Sequence, residues 1–141
     1  MKVAIGDSAS FSKTVSEANV YSFAGISGDM HFAHLNAEVM AKSSYGQRIA
    51  HGALIVGFMS AAASALIAKL TAAGDDAIAV SVGYDRIRFV GPVFFGDTVT
   101  VTYNVREVDA ERRRSTAAIE TNNQRGETVA VADHVMKWLA P

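Results

Sequence analysis

At 141 residues and 14.9 kDa, the chain has the size of one domain, read as residues 1–141, with half its residues hydrophobic and only 19% charged. That composition is too apolar for a disordered segment and points to surface hidden in an oligomer. Thirteen Lys and Arg against fourteen Asp and Glu leave no broad basic field for nucleic acid, and with no cysteine the chain has no disulfide, thiolate metal site or cysteine nucleophile.

Residues 1–20 show no basic start, apolar run and cleavage site, so a cytoplasmic protein without a signal peptide is the expectation. Residues 16–24 are predicted as a short helix with Val20 and Phe23 on one side, followed by a glycine-containing loop over 25–34. Asn36 reads as the N-cap of another short helix, its side chain accepting a free amide hydrogen, and Glu38 suits the positive end of the dipole. Residues 52–68 are uncharged, just short of the ~18 apolar residues of a membrane span. Gly57, Ser60, Ala61, Ala62, Ala63 and Ser64 make the stretch small rather than greasy, so a helix over about 51–70, buried on most sides and wrapped by a sheet, is predicted, with no membrane partner. Gly74, Asp75 and Asp76 close it.

After Ala77 the hydrophobic period changes from helical to alternating. Val80, Val82 and Tyr84 share one phase, Ile87 and Phe89 the other, which predicts a strand with a bulge near Asp85 and Arg86 and an end at Gly91 and Pro92. Val99, Val101, Tyr103 and Val105 mark a half-buried strand. A hairpin turn over 109–114 and a second turn over 122–126 lead into strands at 115–121 and 128–139. One long helix ahead of an antiparallel meander predicts an α+β layer in which the sheet curls around the helix.

Three of the four histidines fall in one polar cluster: Asp29, His31 and His34, then His51 and Gly52, then Ser60. Asp29 and His34, five residues apart, would diverge by about 140° on a continuous helix, and they converge only if Asp29 lies in the loop. There the carboxylate and the imidazole could share one water molecule. Gly52 sits where the long helix begins, with free amide hydrogens suited to an oxyanion. Ser60, predicted to be buried on that helix, needs a partner and is a candidate to orient Asp29 or His34, or simply to bond back to its own helix.

The string 27–34 (Ser-Gly-Asp-Met-His-Phe-Ala-His), Ile49-Ala50-His51-Gly52, residues 89–99 and residues 123–127 together resemble the MaoC-like dehydratases, the hydratase 2 family of (R)-specific enoyl-CoA hydratases. The resemblance spans roughly 16–138. It implies a hot-dog fold, a homodimer or higher oligomer with active sites near the subunit interface, and addition of water to a trans-2-enoyl thioester of coenzyme A or acyl carrier protein, without cofactor, metal or covalent intermediate. By that pattern Asp29 and His34 are the catalytic pair, the Gly52 amide supports the thioester oxygen, and Ser60 holds the pair. His31 and Phe32 stand where the family has Asn-Pro, a departure that bears on substrate choice and activity. His31, His51, Arg112 and Arg113 are candidate substrate contacts. His51 also reads as a structural histidine, and the arginine run as a solvated hairpin or a grip on the phosphates of coenzyme A. A zinc reading of His31, His34 and His51 finds no familiar spacing. His134 reads as packing and Gly96-Asp97 as a turn. The rival functions are a thioester hydrolase on the same scaffold and an acyl-thioester binding protein impaired in catalysis.

Overall fold

In the computed structural model, which describes residues 1–140, the first element is a strand, β1 (Ser8–Thr14). α1 (Glu17–Ser27) starts at a reciprocal capping box: Asn19 N–H donates to Ser16 Oγ at 3.1 Å and Ser16 N–H to Asn19 Oδ1 at 3.0 Å. It stops at Gly28, whose φ of 81° is the left-handed conformation that glycine adopts without steric penalty. The segment expected as a loop contains a single helical turn, α2 (Phe32–Leu35). α3 (Ala37–Met40) begins as expected, with Val39 N–H donating to Asn36 Oδ1 at 3.0 Å and Glu38 in its first turn.

α4 (Gly52–Ala72) is the long helix. It is long and apolar enough to cross a membrane, but here it packs on the sheet against β1 and β3. Its burial is narrower than the sequence suggests. Only Ile55, Met59, Ala62, Ala63 and Leu66, on one stripe, are buried; Leu54, Val56, Phe58 and Ile67 are half-covered. An all-round apolar helix with one covered stripe still has faces to hide.

β2 (Ile78–Phe89), β3 (Thr98–Asp109), β4 (Arg114–Asn122) and β5 (Thr128–Leu139) complete one antiparallel sheet in the order β1-β3-β4-β5-β2. The meander of β3, β4 and β5 follows the predicted turns. Val99, Val101, Tyr103 and Val105 point from β3 into the core with Ile55 and Met59 of α4, each fully buried aliphatic side chain contributing about 1.5–3 kcal/mol. β2 shifts register between Ser81 and Gly83 and again between Asp85 and Arg88. At the second shift Arg86 adopts φ 52° and ion-pairs with Asp133 on β5.

Two buried carboxylates tie the connections down. Asp75 receives the backbone N–H of Lys2 and lies 3.4 Å from the terminal ammonium, so it anchors the N-terminal segment as well as following α4. Asp97, in the turn before β3, accepts from Phe94 N–H at 2.9 Å, Gln124 Nε2 at 2.7 Å and Arg125 Nη1 at 3.3 Å. Burial alone would raise its pKa, but these donors outweigh it and hold the carboxyl below the ordinary carboxylate range. The turn so fixed ties the segment at Phe94 to the turn between β4 and β5.

Candidate active site

The chain leaves α1 through Gly28 and presents Asp29 at once, exposed, with Oδ1 accepting from His31 N–H at 3.3 Å in a tight side-chain turn. His31 then caps α2, its Nδ1 accepting from Ala33 N–H at 3.2 Å. That single turn swings His34 back toward the segment preceding α4, where its Nδ1 lies 2.7 Å from the Ile49 carbonyl oxygen. A carbonyl has no hydrogen to give, so Nδ1 carries the proton and Nε2 of the neutral ring keeps its lone pair. By the same logic His51 Nε2 donates to the backbone oxygen of Asp29 at 3.0 Å, which leaves its Nδ1 buried and unpartnered. The rings of His34 and His51 stack with centroids 3.7 Å apart and planes 26° apart, and Phe23 packs against His51 at 4.8 Å.

One donor atom from each of Asp29, His34 and His51 lies within 4.8 Å of the other two. The near-parallel stacking of the two imidazoles keeps their in-plane lone pairs from meeting at one point, so the trio suits proton handling better than tetrahedral ligation. Burial pushes the His34 pKa down, opposed by the Ile49 carbonyl, and below its ordinary value the ring is a neutral base at physiological pH.

His34 forms the polar end of a cleft of about 290 Å³. Gly52 stands beside it, and Ile55, Phe89, Val93 and Val129 supply apolar walls from four elements or connections. As the first residue of α4, Gly52 has an N–H with no acceptor inside the helix. Nothing but glycine fits here without movement: a β-carbon would stand 2.6 Å from the Phe89 ring. An apolar wall, a free amide donor and a proton-accepting imidazole thus meet in one place.

Not every expected residue joins them. Ser60 is exposed on α4, outside the cleft wall, with the Tyr84 hydroxyl as its neighbour, because α4 is covered on one stripe and Ser60 is off it; within this chain it orients neither Asp29 nor His34. His51 is 1% exposed and supports His34 and Asp29 from behind instead of touching a ligand. His31 is exposed and commits Nδ1 to capping α2, outside the cleft. Arg113 donates from Nε to the Trp138 carbonyl and from Nη2 to that of Leu139, and Arg112 pairs with Asp109 at 3.7 Å, so both belong to the β3–β4 hairpin. That hairpin meets the far end of β5, about 30 Å along the strand from Val129 in the cleft wall. Tyr45, Ile55 and Val129, which line the cleft, carry no sequence signal beyond being apolar or aromatic.

A MaoC-like domain model matches residues 2–128, nearly the whole chain. The chain belongs to the MaoC-like domain family. Among its relatives, the (R)-specific enoyl-CoA hydratase of Rhodospirillum rubrum is 39% identical over 108 residues, which cover 77% of this chain and 69% of that protein. The 3-hydroxybutyryl-CoA dehydratase of Methylorubrum extorquens is 35% identical over 106 residues, 75% of this chain and 62% of the relative. In three dimensions the MaoC-like domain superposes on the (R)-hydratase of A. caviae with a TM-score of 0.83 at 25% identity, covering 99% of both chains. The long helix and five-stranded antiparallel sheet are therefore the hot-dog fold, as the resemblance in the sequence implied.

Proposed function

We propose that this MaoC-like domain is an enzyme that adds water to a trans-2-enoyl thioester, or removes it from the (R)-3-hydroxyacyl thioester, with coenzyme A as the thiol. The observation that carries the reading is the His34 imidazole, held by the Ile49 carbonyl with Nε2 free, close to the Asp29 carboxylate and in one cleft with the first amide of α4. The relatives named as enoyl-CoA hydratase and hydroxybutyryl-CoA dehydratase support the substrate class.

In this mechanism the thioester carbonyl accepts a hydrogen bond from Gly52 N–H, which stabilises negative charge on oxygen as the β-carbon is attacked. His34 Nε2 takes a proton from the water, the water oxygen bonds to the β-carbon, and the C=C electrons move toward the carbonyl oxygen. As the enolate collapses, the Asp29–His34 pair returns that proton to the α-carbon. The atoms of one water are then divided between the two carbons, and the thioester bond stays intact. A positioned base of this type is worth roughly 10²- to 10⁴-fold.

Incubation with crotonyl-CoA, following loss of the conjugated-enoyl absorbance and release of free thiol in parallel, tests the proposal. Hydration removes the first signal alone; thiol release identifies a hydrolase. Asp29→Asn and His34→Ala each lower kcat by at least about 100-fold without unfolding the protein. Near-wild-type rates in both variants refute the assignment.

A homodimer belongs to the same proposal. The edge strand β2 and the chain after it expose Ile78, Val80, Val82, Phe89 and Val90, and α4 keeps half-covered apolar faces, surface that a second copy would hide. Sedimentation equilibrium giving a 14.9 kDa species at micromolar concentration would refute it.

A further inference from the structure

The free nitrogen of His34 is decided by one backbone carbonyl, that of Ile49, in the irregular stretch between α3 and α4. The backbone of Ile49 is held by two contacts: it bridges Phe94, and its N–H donates to the Ala33 carbonyl at 3.1 Å. The residue before it makes an unusual set of contacts. Arg48 Nη2 lies 2.9 Å from Glu17 Oε1, and Nη1 donates to the Tyr21 hydroxyl at 2.8 Å, both partners on α1. Its guanidinium carbon also lies 4.6 Å from the centroid of the Phe95 ring and 5.8 Å from that of Tyr21. The Arg48 side chain is 18% exposed and that of Glu17 53%, so the ion pair alone contributes little and the clamp rests on its combination with the Tyr21 bond and the Phe95 stacking. The planar fork and the stacking face are used together, which lysine cannot reproduce. Phe95 follows Phe94, the bridge partner of Ile49. Arg48 thereby joins α1 to the 94–95 segment immediately beside the carbonyl that His34 uses.

We propose that Arg48 is a positioning residue for His34: by clamping α1 to Phe95 it fixes the Ile49 carbonyl, and through that carbonyl the tautomer and aim of the imidazole. The kinetic half of the proposal rests on the hydration reading above; the structural half does not need turnover.

The test uses the full-length protein with ¹⁵N-labelled histidine. Arg48→Met keeps most of the apolar stem and removes the fork; Arg48→Lys keeps the charge; Glu17→Gln loosens one arm of the clamp. Long-range ¹H–¹⁵N spectra read which nitrogen of His34 carries the proton. The wild type shows the Nδ1–H tautomer, Arg48→Met shifts weight to Nε2–H, and the other two variants lie between. With crotonyl-CoA, Arg48→Met lowers kcat about 10- to 100-fold, the scale of a misaimed catalytic group. KM changes within about threefold, and Arg48→Lys recovers part of the rate.

The pH profile separates clamp from charge. Asp29, His31 and His51 face His34, and Glu17 and Tyr21 face Arg48. Deleting a cation raises a neighbouring histidine's pKa, whereas losing the Ile49 bond lowers it, so the acid limb of kcat moves to lower pH if Arg48 acts through the carbonyl. An unchanged His34 tautomer in Arg48→Met overturns the proposal, whether kcat falls or not, and so does an acid limb displaced upward. If Arg48→Met melts below the assay temperature, Glu17→Gln decides by the same spectra. A wild type that shows the Nδ1–H tautomer yet hydrates nothing refutes the hydratase reading and leaves the clamp intact.

Discussion

His134 predicts how the fold responds to acid. The ring lies on the buried face of β5, 1% exposed, with Nδ1 3.0 Å from the Tyr103 hydroxyl and Nε2 2.8 Å from Ser81 Oγ. Tyr84 stacks on it with centroids 4.2 Å apart and planes 6° apart. A neutral imidazole has one donor and one acceptor, which two hydroxyls satisfy; an imidazolium would be a buried charge with hydroxyls as its only hydrogen-bond partners. Burial therefore pushes the His134 pKa down to about 4 from its ordinary 6.5. The unfolded chain takes up a proton below pH 6.5 that the folded chain refuses until about 4. Stability from this group is thus complete above pH 6.5 and declines as pH falls toward 4, by about 3 kcal/mol in total and at up to about 1.4 kcal/mol per pH unit. The assay is urea unfolding from pH 4 to 8 at fixed protein concentration, read by the fluorescence of Trp138, the single tryptophan and itself 1% exposed. His134→Gln, which does not titrate, lowers stability at pH 7.5 but flattens the profile between 6.5 and 4 by one proton's worth of slope. Parallel wild-type and variant profiles would refute the reasoning, because His34, which titrates in the same direction, is present in both.

Three further outcomes follow from single contacts. Gly52→Ala forces the Phe89 ring aside, which costs about 1–3 kcal/mol where a second copy covers β2, and kcat falls about tenfold or more; a wild-type rate would show that the ring and the amide are independent of catalysis. Thr121 is fully buried with no partner for its hydroxyl, so Thr121→Val leaves stability equal or up to about 1 kcal/mol higher in urea melts, and a loss beyond that would reveal a bonded hydroxyl. Asp97→Asn sets an amide against Gln124 and Arg125 and costs about 2–4 kcal/mol at neutral pH; since the folded carboxyl titrates below its ordinary 3.8, the wild-type advantage persists above that pH and fades as acid protonates it, which the same melts would read.

Much of the architecture was legible because period and element coincide. β3, β4 and β5 alternate cleanly between turns of Asp, Asn and Gly, and the phase break between Tyr84 and Ile87 marks a real bulge at Arg86. β1 was missed because SASFSKT offers only Ala9 and Phe11 as inward apolar residues, and α2 because one turn has no period to detect. In the site, the convergence of Asp29 with His34 followed from the glycine that ends α1. The stacking of His51 on His34 did not, since it depends on how the chain returns after α3. Ser60 lies off the covered stripe because an apolar helix need not be buried all round, and Arg112 and Arg113 sit in the solvated hairpin that their charge suggests, at the end of the sheet away from the cleft, which charge alone does not reveal.

The helix whose first amide meets the thioester carbonyl in the proposed mechanism also contributes Ile55 to the cleft wall, three residues later. On that proposal, activation of the substrate and the room allotted to its hydrocarbon are mechanically joined in one rigid post. Engineering toward longer chains should therefore shave side chains such as Ile55 or Val129 in place, because any tilt of the post that deepens the hollow also drags the amide away from the oxygen it must meet.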